Sequence, residues 1–220
     1  YTEVAPHTVL PSGCTITSLF AITLVCSILY HFHIKYGWEF IDNGDDFGII
    51  MELADIDKLG EIEQHFADVG QEVVAEEPVY VLEHIDFCQT RPVFNGSIYT
   101  MVRDPKVACV KDCIKINRNI TDDDWRYSVS TGGMILNNGI PVMYAFYKML
   151  GRGVSSKAKI KRFALEGGMR MWLHDIDLEK HPERVITHEA RVSFAVAFNV
   201  SVEMQLALEQ HFNRMCFRDT

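Results

Sequence analysis

Apolar residues dominate from Ile16 to Ile34, and positions 4 to 34 contain no Asp, Glu, Lys or Arg. About 20 apolar residues suffice to cross a bilayer. Here Thr17, Ser18, Thr23, Ser27, His31 and His33 interrupt the run, and no aromatic and basic belt flanks both of its ends. The pattern therefore predicts a helix over 18–36 buried in a packed domain, with a membrane span over 16–34 as the alternative. Two short apolar runs then flank Asn43-Gly44, residues that tolerate φ > 0, which predicts strand, tight turn, strand. Leu59, Ile62, Phe66 and Val69 recur at spacings of three and four, so 55–69 reads as an amphipathic helix. Residues 79–87 and 97–102 read as strands, the second following a turn at Asn95-Gly96, and with the first hairpin they would form one small antiparallel sheet carrying a helix on one side.

From about residue 104 the periodicity becomes helical. Helices are expected over 107–116, 122–137, 141–150, around 163–172, 189–198 and 203–215, with Thr187 and Ser201 as starts for the last two. The expected class is α+β, with a mixed first part, 1–104, and a mainly helical second part, 105–220. A chain of 220 residues can bury a sizeable core in one or two domains.

Averaged over the chain, the net charge of −9 argues against nucleic-acid binding. Its distribution changes that picture. Between Glu39 and Asp86 there are fifteen acids and one base, Lys58; between Lys148 and Arg162 there are six bases and no acid; Arg103 to Arg118 carries five bases and two acids. Basic clusters of this kind suit a phosphate backbone, whose neutralisation releases counterions; a solvated basic face is the alternative. Cysteines at 14, 26, 88, 109, 113 and 216 form no CxxC pair and no zinc-finger spacing, so reduced thiols in a cytosolic protein are expected. Sequons at Asn95, Asn119 and Asn199 would matter only in a secreted chain, and no signal-peptide pattern accompanies them.

Candidate chemistry centres on Gly44-Asp45-Asp46. Adjacent carboxylates at a turn repel each other unless a cation lies between them, and hard ions such as Mg2+ take carboxylate and phosphate oxygens as ligands. A solvated acidic turn is the alternative reading. Upstream, Pro11-Ser12-Gly13 makes a loop, and hydroxyl residues up to Thr17 can cap the following helix, leaving N–H groups free to meet phosphate or ribose.

A Ser-Gly-x-x-x-Thr loop and helix, followed 27 residues after the threonine by Gly-Asp-Asp, resembles motifs B and C of viral RNA-dependent RNA polymerases. Glu77-Pro78-Val79-Tyr80, 85–94 and Met101-Val102-Arg103-Asp104-Pro105 resemble the motif D-to-E region of the tombusvirus-like group. Asn138-Gly139-Ile140-Pro141-Val142, 145–147 and 186–198 resemble the thumb of that group, whereas Pro11-Ser12-Gly13-Cys14 is closer to picornavirus-like polymerases.

The resemblance implies a right-hand polymerase fold, with palm motifs B to E over 1–104 and a thumb over 105–220. It implies nucleotidyl transfer from a nucleoside triphosphate to an RNA 3′ end, assisted by Mg2+ or Mn2+. Asp45 would be the principal metal ligand and Asp46 a secondary one. Ser12, Gly13 and Thr17 would contact the nucleotide, and the 87–89 turn with Arg91 would brace the primer, with Arg103 and Lys106 also on RNA. Implied partners are template and primer RNA, nucleoside triphosphates, the fingers and first palm motif of the same polymerase, and viral replication proteins. The implied place is the host cytoplasm, at membrane-associated replication complexes.

Neither the fingers motif nor the Asp-x4-Asp palm motif occurs in the sequence, so a C-terminal part of a larger protein is expected. Ala21 stands where the group has an asparagine that senses the ribose 2′-hydroxyl, and Val74 and Ala75 stand near the place of a candidate proton-donating lysine. A catalytically inactive RNA-binding remnant is therefore the alternative function.

Overall fold

A computed structural model describes residues 17–161, 164–165 and 178–215. The chain divides into two compact units between Pro78 and Val79. Helix α1 (Thr17–Tyr36), strands β1 (Glu39–Asn43) and β2 (Asp46–Ile50) and helix α2 (Leu59–Asp68) build the first. The second contains β3 (Thr90–Phe94), β4 (Tyr99–Arg103), α3 (Pro105–Lys111), α4 (Asp122–Leu136), α5 (Met143–Leu150), α6 (His188–Phe198) and α7 (Val202–Arg214).

In the first unit, Val25, Ile28, Leu29 and Phe32 form one stripe of α1. They bury against Trp38 and against Ile62 and Phe66 of α2, with Phe40, Phe47 and Ile49 of the hairpin packed alongside. Thr23 and Ser27 return their hydroxyls to the carbonyls of Leu19 and Thr23, at 2.7 and 2.6 Å, which lets polar residues sit in an apolar helix. Gly37 ends α1 at φ +75, with its N–H on the His33 carbonyl, a left-handed stop that glycine adopts without steric cost. The opposite stripe, including Leu19, Phe20, Tyr30 and Ile34, stays exposed, so α1 is half buried where a buried helix was expected. By length and composition Leu19–Tyr36 also meets the test for a membrane span.

The helix expected over 55–69 begins later, because Leu53–Lys58 is a 3₁₀ turn. Asp55 in that turn accepts hydrogen bonds from Trp38 Nε1 (2.9 Å) and the Lys58 ammonium.

The second unit packs Val93 and Val102 of the β3–β4 hairpin with Trp125, Val129, Met143, Phe146, Tyr147, Leu150 and Phe194 from the helices. Both expected capping positions hold, Thr187 accepting from Ala190 N (3.2 Å) and Ser201 from Met204 N (3.3 Å), and Thr121, not singled out in the sequence, caps α4 by accepting from Asp124 N (3.1 Å). Pro105 opens α3 behind the Asp104 cap. The expected helix at Pro141 starts instead at Met143, because Val142 (φ +64, ψ −54) closes a γ-turn in which Met143 N reaches the Pro141 carbonyl at 2.6 Å. A β-branched residue at positive φ is strained. Here the Val142 N–H is held by Glu209 at 3.0 Å, and that carboxylate is itself clamped by two Arg191 nitrogens at 3.0 and 2.9 Å.

Two expectations change. Residues 79–87 form no strand: a 3₁₀ turn occupies Leu82–His84, Tyr80 is exposed, and the segment contributes only an isolated Phe87–Thr90 bridge. The single sheet becomes two separate two-stranded sheets, β1–β2 and β3–β4. β3 packs against α6 within the second unit. The helix expected around 163–172 lies almost wholly outside the described residues.

Candidate metal and nucleotide site

Antiparallel pairing runs from Glu39–Ile50 to Asn43–Asp46, which leaves Gly44 and Asp45 as the two-residue loop. Asn43-Gly44 is thus shifted by one place from the centre expected for an Asn-Gly turn. Gly44 takes φ +95 and Asp45 is not among the positive-φ residues, the pattern of a hairpin that needs glycine at its first loop position. Asp42 Oδ1 accepts the Gly44 N–H at 2.9 Å, a side-chain turn that fixes the entry into the loop. Beyond the loop, Gly48 faces Ile41 across the ladder; a Cβ there would lie 3.1 Å from Ile41 Cγ1.

Asp45 at the tip and Asp46 at the start of β2 are both exposed. Strand alternation puts Asp42 on the hairpin face that carries Phe40 and Phe47, and Asp46 on the other face with Asn43. On the inner face, Cys26 Sγ of α1 donates to Asp42 Oδ2 at 3.0 Å. That hydrogen bond, with burial and the carboxylate charge adding to it, raises the thiol pKa and keeps Cys26 a donor at neutral pH.

The oxygen donors of Asp45 and Asp46 suit Mg2+ or Mn2+, which prefer carboxylate, water and phosphate ligands. Among the described residues no group of three or more His, Cys, Asp or Glu is placed to hold a metal. Asp45 and Asp46 would by themselves supply only two of the oxygen donors such an ion takes. Ser12 and Gly13 lie outside the described residues, as does the side chain of Thr17, whose backbone opens α1.

The three residues expected on RNA lie in the second unit. Arg91 joins β3 to α6, with one guanidinium nitrogen on the Ala197 carbonyl at 2.7 Å and Nε 3.4 Å from Asp86. It follows the 87–90 turn, where Cys88 and Gln89 both take positive φ, at +53 and +58. Arg103 turns inward: its guanidinium holds both oxygens of the buried Asp112, at 2.8 and 3.0 Å, and Tyr147 Oη donates to the same carboxylate at 2.6 Å. Lys106 is exposed in the first turn of α3.

The basic run 148–162 is partly used within the fold. Lys148 pairs with Glu183 at 2.8 Å, and Arg152 caps the carbonyls that end α7, reaching Asn213 at 2.8 Å. Lys157 and Lys159 are exposed on an open cleft of about 630 Å3 that Asp122, Asp123 and Asp124 also line. Lys161, on the same cleft, lies 3.9 Å from Asp124. An expected basic groove is in these residues a mixed one.

Sequence reasoning did not find Cys26, Asp42, Asp112 or Tyr147. Only Asp42 carried a local signal, an Asp two residues before a turn glycine.

A family profile described as viral RNA-dependent RNA polymerase matches residues 11–218. The RNA-directed RNA polymerase of Tobacco necrosis virus (strain A) is 36% identical over 208 residues, covering 90% of this chain and 28% of that protein. That of Oat chlorotic stunt virus (isolate United Kingdom) is 32% identical over 215 residues, covering 91% and 29%. That of Turnip crinkle virus is 28% identical over 217 residues, covering 93% and 27%. The chain therefore spans less than a third of the length of these relatives. No solved structure matches it significantly. With the profile running from Pro11, through the Gly44-Asp45-Asp46 turn, to beyond the end of α7, the chain belongs to the viral RNA-dependent RNA polymerase family.

Proposed function

We propose that this chain is the palm and thumb part of an RNA-directed RNA polymerase of a positive-strand RNA virus, with palm motifs over 1–104 and the thumb over 105–220. The observation that carries this reading is the Gly44-Asp45-Asp46 turn, with both aspartates exposed at the tip of a hairpin that α1 and α2 back with apolar side chains, in a chain matched by the family along its length. Two Mg2+ ions would supply charge stabilisation at the attacking 3′-oxygen and the leaving pyrophosphate oxygen. Asp45 would hold that charge at the turn tip, with Asp46 beside it. Gly44 supplies the positive φ, +95, that the first loop position needs. Ser12, Gly13 and Thr17 would meet the nucleotide, and Arg91, Arg103 and Lys106 the RNA; the Arg103 side chain is about one-third exposed beside Asp112.

The test is single-nucleotide extension of a primed RNA by the parent polymerase. Asp45→Asn keeps the size and removes the charge, and is expected to lower turnover by on the order of 100-fold or more, about 3 kcal/mol of lost transition-state stabilisation. Asp46→Asn should be milder. An Asp45→Asn parent extending at the unmutated rate would reduce the turn to a surface acid. A second reading, an inactive RNA-binding remnant, is favoured by Ala21, whose methyl cannot sense a 2′-hydroxyl. It predicts an unmutated parent that binds RNA without extending it.

A further inference from the structure

We propose that Cys26 and Asp42 are positioning residues for the acidic turn, coupling helix α1 to Gly44-Asp45-Asp46 through one shared carboxylate; this rests on the polymerase reading. The two oxygens of Asp42 have separate tasks. Oδ2 accepts the Cys26 thiol at 3.0 Å and Oδ1 accepts the Gly44 amide at 2.9 Å. A carboxylate held from both sides has one orientation, and that orientation fixes the buried Gly44 at the positive φ the loop requires.

Helix α1 is a stiff reference for this chain of bonds, because Val25, Ile28, Leu29 and Phe32 anchor it immediately beside Cys26. Asp45 and Asp46 are exposed at the turn. The β1–β2 ladder and the Asp42 bridge both bear on where they sit. Ligands for a metal at a reacting phosphate must be held closely, and displacement by about 1 Å can cost on the order of 100-fold in rate. Cys26 would act through Asp42, and Asp42 through Gly44. Neither touches substrate.

The experiment compares Cys26→Ala, Cys26→Ser, Asp42→Ala and the Cys26→Ala/Asp42→Ala double variant in the parent polymerase, with Asp45→Asn as reference. Three quantities are read for each: turnover in single-nucleotide extension, the Mg2+ concentration giving half the maximal rate, and hydrogen exchange of the peptide covering 42–47. Loss of a hydrogen bond to a charged acceptor should lower turnover about tenfold in Cys26→Ala. It should also raise the Mg2+ requirement, speed exchange in 42–47, and leave KM for the RNA unchanged. Cys26→Ser keeps a donor and should restore turnover to within about threefold of the unmutated protein. The double variant should lose no more than Asp42→Ala alone, because both substitutions break the same chain of bonds.

Equal losses in Cys26→Ala and Cys26→Ser, or full additivity in the double variant, would assign Cys26 to packing and overturn the proposal. If Cys26→Ala does not fold, Asp42→Ala decides the matter: unmutated turnover and exchange there would equally overturn it. An inactive Asp45→Asn beside unaffected Cys26 and Asp42 variants would leave the polymerase reading standing and remove only this coupling. An active Asp45→Asn would remove the reading itself.

Discussion

The first unit exposes its acids on a hairpin tip, whereas the second buries a comparable group and gives both of its oxygens a donor. Asp45 and Asp46 project from a turn whose apolar support lies behind it on α1 and α2. Asp112, 8% exposed, receives Arg103 and Tyr147 and ties β4, the end of α3 and α5 into one core. The difference teaches where a carboxylate is available for chemistry: an exposed pair at a turn keeps oxygens toward solvent. A buried carboxylate whose two oxygens are both hydrogen-bonded inside the fold contributes to stability instead.

Removing Asp112 is the strongest way to sharpen this contrast. Asp112→Ala leaves Arg103 without its carboxylate and the Tyr147 hydroxyl without its acceptor in a buried place. Loss of one partner of a buried pair costs about 3–5 kcal/mol. Because Arg103 is about one-third exposed, the lower end is expected, about 3 kcal/mol. Urea unfolding of the second unit should show it, with hydrogen exchange in 39–50 of the first unit unchanged. Loss of protection in both units would break the comparison.

Two helical glycines provide a smaller contrast of opposite sign. In α4, a Cβ on Gly133 would lie 2.1 Å from Tyr147 Cδ1, so Gly133→Ala must displace a fully buried ring and should destabilise by about 2 kcal/mol. In α2, a Cβ on Gly60 meets nothing within 4 Å, and Gly60→Ala should stabilise by about 0.5–1 kcal/mol through helix propensity alone. The paired midpoints in urea check both signs.

These contrasts also separate what was legible in the sequence from what was not. The extents of α1, α4, α6 and α7 and the caps Thr187 and Ser201 were legible, because periodicity and capping are local properties of a few adjacent residues. Residues 79–87 alternate like a strand, but a strand also requires a partner edge, which no local pattern specifies. The acidic turn was legible from Gly44-Asp45-Asp46, although its centre lies one residue beyond the Asn-Gly pair that signalled it. The Cys26–Asp42 contact was not, because it joins positions 16 apart through a thiol, which has no sequence signature as a donor. Arg103 showed its charge in the sequence but not its carboxylate partner, since the Asp112 pairing is made by the fold of β4 against α3.

The gentlest probe of the comparison is pH, because exposed acid-sensitive pairs can be followed in the first unit and buried alkaline-titrating groups in the second. In the first, the Lys58 hydrogen bond holds the Asp55 carboxyl below its ordinary 3.8, and the Lys35 hydrogen bond holds Glu61 below 4.5. A folded pKa below the unfolded one means that the unfolded chain takes up protons first. The stability these pairs contribute is therefore present above the ordinary carboxylate values and is lost as pH falls through the lowered ones. The Lys35–Glu61 pair is exposed and the Lys58–Asp55 pair partly so, so the effect is small and screened by salt. In the second unit, burial pushes the Cys109 thiol from 9.0 up to about 12 and raises the Tyr147 hydroxyl as well. For these acids it is the neutral form that the fold favours, so their contribution is present below pH 9 and declines as pH rises from there toward 12. Variants retaining only Trp38 or only Trp125 report the two units separately by fluorescence. The Trp38 midpoint in urea should fall between pH 5 and pH 3 and the Trp125 midpoint between pH 8 and pH 11. Cys109→Ala should flatten the alkaline limb alone, and a Trp125 midpoint equally sensitive to acid would show that the two units share one electrostatic response.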